Sequence, residues 1–361
     1  MSENKPIQLG LCCLNTILRA QNPTVFASRS CTLKTIREKG LKIAIDRALL
    51  NLDDIITMIH WNDKNGIKVF RLTSNIFAHF SNPQVERYSI QFATPKLKEI
   101  GRLSKLYKMR LTFHPGQYVV LGTPNENYLK NSLLDLKCHA TILEAMDCPI
   151  DSVMVIHGGG TYGNKEETIK RWIKNYQTSD PLIKKRLVLE NCEKNFNIED
   201  CLAISEECNI PVVFDTHHYE CYKLLHPDEI FKEASEYIPD ILATWQKRGI
   251  KPKFHVSEQG SGKIGHHSDY IETIPAYLLE IPVKFGCEID IMIEAKKKEQ
   301  SIFRLYNKYP DLNCKINIPP KLSRLKIKVK KTPVNIPNPP TKIKIKTKIK
   351  IKTKKAVNEN R

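Results

Sequence analysis

Up to about residue 314 the chain alternates between short apolar runs rich in β-forming residues and longer amphipathic segments, the rhythm of β/α units around a parallel sheet. Eight runs read as strands: 9–13, 68–72, 110–113, 153–156, 187–190, 212–215, 253–256 and 290–294. Helix starts are legible between several of them. Thr94 sets a hydroxyl before Pro95 at the first helical position, Asn197 has Asp200 three residues on, and Ser268 is followed by Asp269. His226 precedes Pro227 at a further expected helix start. Eight β/α units in about 290 residues predict a (β/α)8 TIM barrel, with an open doubly wound sheet as the alternative topology.

Composition narrows the class. The 361 residues are 41% hydrophobic and 27% charged, enough for one large or two ordinary cores, which excludes wholesale disorder. No run approaches the roughly 18 apolar residues of a membrane span, and the polar start of the chain does not read as a secretory signal. A soluble, intracellular protein is expected. Eleven cysteines, an odd number without a C-x-x-C pair, fit reduced core thiols better than a disulfide scaffold or a zinc ribbon.

The net charge of +18 changes meaning once it is split by position. From Lys315 onward there are 16 Lys and Arg against one acid, so +15 belongs to this segment and only +3 to residues 1–314. The segment has no aromatic residue and contains KIKIKTKIKIKTKK after a proline-rich spacer. The expected organisation is a barrel domain over 1–314 and a Lys-rich, low-complexity, disordered tail over 315–361. Such an arm suits sequence-independent contact with phosphates, although codon bias alone also yields Lys-Ile-Asn richness.

The chemistry of a barrel collects where its strands end. The third predicted strand runs into His114, the fourth into His157, the fifth into Glu190 and Asn191, and the sixth into Asp215, His217 and His218. The seventh carries Lys253 and His255, with His266 and His267 in the loop beyond, and the eighth ends at Glu294. One such residue has an ordinary structural explanation, since buried polar groups are normally hydrogen-bonded. Imidazoles and carboxylates from six consecutive strands do not: their desolvation calls for cations. Mixed His and Asp/Glu ligation without thiolate suits Mn²⁺, Zn²⁺ or Fe²⁺, and the number of ligands implies two or more ions. Such a pair generates hydroxide near neutral pH and stabilises the attacking and leaving oxygens of a phosphodiester. Gly158 to Gly160 either form a phosphate nest or let the backbone pass close to the site. His60, His139 and His226 read as structural.

Seven ordered motifs carry a more specific signal: RLTS at 71–74, RLTFHPGQY at 110–118, LVLEN at 187–191, DTHH at 215–218, KFHVSE at 253–258, HSD at 267–269 and IMIEAK at 291–296. Together they resemble the UV damage endonuclease family over about residues 7–305. The resemblance implies a metal-dependent barrel enzyme of DNA repair that nicks double-stranded DNA immediately 5′ to UV photoproducts and, in many members, abasic sites. It places His114, His157, Glu190, Asp215, His218, His255, His267 and Glu294 on metal-ligand positions, with Mn²⁺ the expected ion. Lys253 matches a lysine that can be carboxylated beside the metals, and with Glu190 and Glu294 it makes up the expected catalytic set. Gln117 and Tyr118 match a pair inserted into the duplex at the damage, and Asn15 a residue near the lesion pocket. In many relatives a further metal-binding histidine stands where this chain has Asn82, and His79, three residues earlier, is expected to supply that ligand. Leu11 occupies a place that is aromatic in some relatives.

The barrel mouth by itself also permits a metal-dependent sugar isomerase, because fold does not decide function. The string His114 to Tyr118 separates the two, since it has a use in wedging a duplex and none in holding a monosaccharide. A non-enzymatic nucleic-acid-binding protein would rest on the tail and leaves the crowded mouth unexplained. The expected partner is damaged double-stranded DNA, with no membrane, and the protein is expected to act as a monomer.

Overall fold

The computed structural model describes residues 5–86 and 88–315. Eight parallel strands form one sheet: β1 (Ile7–Cys12), β2 (Val69–Arg71), β3 (Arg110–Thr112), β4 (Met154–His157), β5 (Leu187–Glu190), β6 (Val212–Asp215), β7 (Lys253–Val256) and β8 (Ile289–Ile293). Their order, β3-β2-β1-β8-β7-β6-β5-β4, runs around a cylinder with helices in the connections. The longest ladder joins β1 to β8 over five registered pairs, Ile7↔Ile289 to Leu11↔Ile293. The cylinder closes between β3 and β4 through a single bridge, Phe113↔Met154. There the Phe113 amide donates to the Val153 carbonyl at 2.9 Å and the Val155 amide to the Phe113 carbonyl at 3.0 Å.

This is the (β/α)8 TIM barrel expected from the sequence. The spans of β5, β6 and β7 coincide with the expected ones, and the other five shift by no more than two residues. Every residue of β1, β3, β5, β6, β7 and β8 is buried, as a strand covered on both faces requires. The connecting helices turn one stripe to the barrel. In Lys42–Lys64 the buried positions are Ala44, Ala48, Asn51, Leu52, Ile55, Met58, Ile59 and Asn62, at spacings of three and four with two adjacent pairs.

The helix signals fare unevenly. Asn197 forms a full capping box with Asp200 at the start of Ile198–Cys208. Thr94 does not cap: the helix Thr94–Leu106 grows out of a 3-10 turn over Gln91–Ala93, which already satisfies the backbone there. No helix starts at Ser268, whose hydroxyl turns back onto the Tyr270 carbonyl. His226 closes the helix Thr216–Leu225 instead of opening another. Apart from Lys315, the Lys-rich tail lies outside the described residues.

The end of the barrel opposite the strand tips is held by charge. Arg110, at the start of β3, reaches Asp290 of β8 at 2.9 Å, with side chains 3% and 0% exposed. Asp290 also meets Lys251 at 2.6 Å. The guanidinium donates to the Lys251 and Asp151 carbonyls and lies 5.7 Å from the Trp245 ring. Lys253 occupies the interior between this layer and the mouth and is fully buried.

Candidate metal centre at the barrel mouth

Several apolar runs end on a polar side chain: β4 on the partly buried His157, β5 on the buried Glu190 and β6 on the buried Asp215, and Glu294, also buried, follows β8 directly. Glu190, the last residue of β5, stands at the middle. Its Oε2 lies 2.9 Å from His114 Nε2 and 3.5 Å from His157 Nε2, and its Oε1 lies 2.6 Å from His255 Nδ1 and 3.8 Å from His218 Nδ1. Four imidazoles from four different elements therefore surround one buried carboxylate. The rings crowd one another, with centroids 5.2 Å apart for His114 and His157 and 5.2 Å for His157 and His218.

Glu294, just past β8, forms a second acidic pole. It pairs with Arg71 and lies 3.3 Å from His255 Nδ1 and 4.0 Å from His267 Nδ1. Asp215 ends β6 and caps the following helix, its Oδ1 accepting from the His217 and His218 amides at 2.8 and 2.9 Å. Its Oδ2 is buried without a hydrogen bond, as is His157 Nδ1. Asn191 locks this corner, accepting from the Asp215 amide at 2.8 Å and donating to the Asp215 carbonyl at 3.0 Å. Lys253 Nζ stands 2.5 Å from His255 Nε2.

Ionisation follows from this packing. Burial favours the uncharged form of Glu190, yet the imidazoles of His255, His157 and His114 hold its pKa well below the ordinary carboxylate range. Burial raises Asp215 to about 7, helped by the anions of Glu190 and Glu294. Burial lowers His157 and His255 to about 4, whereas in His218 the carboxylates of Asp215 and Glu190 outweigh it and raise the ring to about 9. Burial, with Arg71 and Arg110 nearby, brings Lys253 down to about 8. Cys12 is pushed up to about 12 by burial and stays a thiol, which removes it as an anionic ligand.

The donor set fits a divalent cation. The ligand atoms of His114, Glu190 and His255 all lie within 4.8 Å of one another, and so do those of His157, Glu190 and His218. Glu190 belongs to both groups. Imidazole nitrogens with carboxylate oxygens suit a transition-metal or zinc-like ion, and Asp215 Oδ2, 3.7 Å from His218 Nδ1 but without a hydrogen bond, and His157 Nδ1 are groups whose burial an added cation would relieve. These buried His and Glu groups can therefore bind metal.

The remaining sequence-selected residues occupy other places. Gln117 and Tyr118 are exposed in the loop that follows His114. Asn15 is buried, its Oδ1 accepting from the Leu18 amide at 2.8 Å, and its Nδ2 has no hydrogen bond. His79 stands apart from both groups of donors: its Nε2 faces the Cys31 carbonyl at 2.7 Å and its Nδ1 the Asn82 amide nitrogen at 3.2 Å. Gly158 needs to be glycine for packing, because a Cβ there would come within 2.2 Å of the Phe196 ring. Sequence reasoning left Arg71 without a role. It was findable, since Arg71 is the last residue of β2 and so obeys the strand-end rule that identified the others.

Comparison with known proteins agrees with this geometry. The family description UV-endonuclease UvdE matches residues 7–323. A protein of Acanthamoeba polyphaga mimivirus assigned as a UV-damage endonuclease is 39% identical over 316 residues, covering 86% of this chain and 94% of its own. The UV-damage endonuclease of Schizosaccharomyces pombe is 37% identical over 325 residues, 85% of this chain but 52% of the yeast protein, so the chain spans about half of that relative. The crystal structure of SacUVDE superposes with a TM-score of 0.73 at 30% identity and covers 85% of this chain and 99% of that one. Among the described residues no helix is long and apolar enough to cross a membrane. The chain belongs to the UV-endonuclease UvdE family.

Proposed function

We propose that this protein nicks double-stranded DNA immediately 5′ to UV photoproducts and abasic sites, as a monomer that depends on two or more divalent cations, Mn²⁺ foremost. The observation that carries the reading is the carboxylate of Glu190 shared by two groups of imidazoles, with His114 of one group only three and four residues from exposed Gln117 and Tyr118. Three residues of extended chain span at most about 10 Å, so a side chain probing the base stack and the ligands for the scissile phosphate act on neighbouring nucleotides.

His114, His157, Glu190, Asp215, His218, His255, His267 and Glu294 would hold the cations. Bound there, they supply Lewis-acid polarisation of a phosphodiester and activation of water near neutral pH. The protein's own groups set the stage. Lys253 faces His255 Nε2, which leaves Nδ1, the ring nitrogen beside Glu190, as the atom His255 would offer a cation. Arg71 pairs with Oε1 of Glu294, the same oxygen that faces His255 Nδ1 at 3.3 Å. Lys253 carries a carboxylate formed from its neutral amine and CO₂ with loss of a proton, an anion favoured by the nearby Arg71 and Arg110. His79 stays with Cys31 and Asn82 and is not needed for the first two cation positions. The domain boundary lies at 314/315, with the Lys-rich segment adding sequence-independent phosphate contacts.

Chelation followed by dialysis should abolish nicking of a duplex carrying one pyrimidine dimer, and added Mn²⁺ should restore it. Full activity of the metal-stripped protein would refute the hydrolytic reading. Replacing both Gln117 and Tyr118 by Ala removes an amide and a ring that fill the distorted stack. Stacking worth about 1 to 3 kcal/mol predicts that preference for damaged over intact duplex falls by roughly 5- to 150-fold. Competition binding with matched duplexes measures this, and an unchanged preference would remove the pair from recognition.

A further inference from the structure

Tyr118 is 65% exposed, yet its hydroxyl donates at 3.0 Å to Oδ2 of Asp135, a residue only 2% exposed. The ring stands in solvent while its tip is tied to a buried carboxylate on the helix Glu126–Ala145. That carboxylate is itself fixed. Ser81 Oγ donates to the same Oδ2 at 2.6 Å, and Oδ1 lies 3.0 Å from Nδ1 of His139, one helical turn on. Burial would raise the Asp135 pKa, but the contacts with His139, Ser81 and Tyr118 more than offset it and hold the group below its ordinary value. Asp135 therefore remains a charged acceptor, and charge-assisted hydrogen bonds are the stronger kind. The loop is shaped to the same end: a Cβ on Gly116 would lie 2.5 Å from the Tyr118 ring. A cavity of about 340 Å³ flanks the ring, with His79, Asn82 and His139 in its wall.

We propose that Asp135 is a positioning residue for lesion recognition, presetting through the Tyr118 hydroxyl the orientation in which the ring enters the base stack. The inference rests on the reading of Gln117 and Tyr118 as the duplex-probing pair. An exposed tyrosine without this tie samples several rotamers and loses them on binding. With it, that loss is made during folding, and the tie contributes roughly 3- to 10-fold to lesion affinity.

The test compares Tyr118→Ala, Tyr118→Phe, Asp135→Ala, Asp135→Asn and the double variant Tyr118→Phe/Asp135→Ala in the full chain. Two readouts are taken: the ratio of affinities for a dimer-bearing and an intact duplex, and the fluorescence of 2-aminopurine opposite the lesion, which reports unstacking. Tyr118→Phe keeps the ring and should lower the ratio roughly 3- to 10-fold with a matching loss of unstacking. Asp135→Ala should lower it equally, the double variant no further, and Asp135→Asn, which keeps an acceptor oxygen, should recover most of it. If Asp135→Ala misfolds, Tyr118→Phe alone decides, since it removes one hydroxyl and leaves the ring and Asp135 in place. Wild-type behaviour of Tyr118→Phe beside a defective Tyr118→Ala would overturn the anchor and leave the wedge standing. Wild-type behaviour of Tyr118→Ala would overturn both.

Discussion

Glu190→Gln should reduce nicking by at least about 100-fold while leaving affinity for damaged DNA in place. The side chain is the only member common to both groups of ligand atoms, so the substitution removes an anion from two cation positions at once. Altering groups that merely orient metal ligands already costs about 10- to 100-fold in affinity or activity, and loss of a shared ligand exceeds that. Glutamine keeps the volume and one acceptor oxygen, so the four surrounding imidazoles can stay packed. Affinity is retained because phosphate attraction comes from cationic side chains, and removing a buried negative charge does not weaken it. Metal content per chain should fall in parallel. A variant that nicks at the wild-type rate, or one that loses nicking with its metal content intact, would remove Glu190 from the shared position.

The second large effect is on stability and arises at the opposite end of the barrel. Asp290→Ala should destabilise the fold by about 3 to 5 kcal/mol, because it leaves the Arg110 guanidinium buried without its anion. Lys251 loses the same partner but is partly exposed and can turn to water. The pair as a whole is not expected to be worth that much. Replacing both members, Arg110→Met with Asp290→Leu, should recover most of the loss, since a buried ion pair is often no better than apolar residues of similar volume. Urea midpoints at constant slope give the comparison. A cost below about 1 kcal/mol for Asp290→Ala would show that the guanidinium is held by its carbonyl contacts to Asp151 and Lys251 alone.

What could be read beforehand was whatever depends on periodicity along the chain. Leu187–Glu190 and Val212–Asp215 are short apolar runs that end on an acid, and the rule that a barrel's chemistry sits at strand ends identified both carboxylates before any contact was known. The same rule applied to β2 would have identified Arg71. Contacts made across long separations were beyond reach. Glu299 is fully buried and accepts from the Thr16 and Ile17 amides, so the turn holding Asn15 is fixed from 283 residues away. Nothing local in either segment announces that. His79 shows the same difficulty. Three residues from Asn82, its Nδ1 does reach the Asn82 side chain, while its Nε2 faces the Cys31 carbonyl, a contact 48 residues away that no local pattern announces. Ser268 illustrates a third cause: a good capping residue finds a nearer acceptor and starts no helix.

The closure between β3 and β4 gives the cylinder an uneven compliance. Five registered pairs stiffen β1 against β8, while a lone bridge with two backbone hydrogen bonds joins Phe113 to the start of β4. A hoop under radial load opens where its restoring force is least, and His114 and His157 stand on the two lips of that seam. The distance between those two imidazoles is therefore the dimension of the mouth that changes with the smallest loss of backbone bonding. Ions of different radius would be accommodated first by widening or narrowing at this lip, with the His255 and Glu294 wall, braced by continuous ladder, serving as the fixed reference.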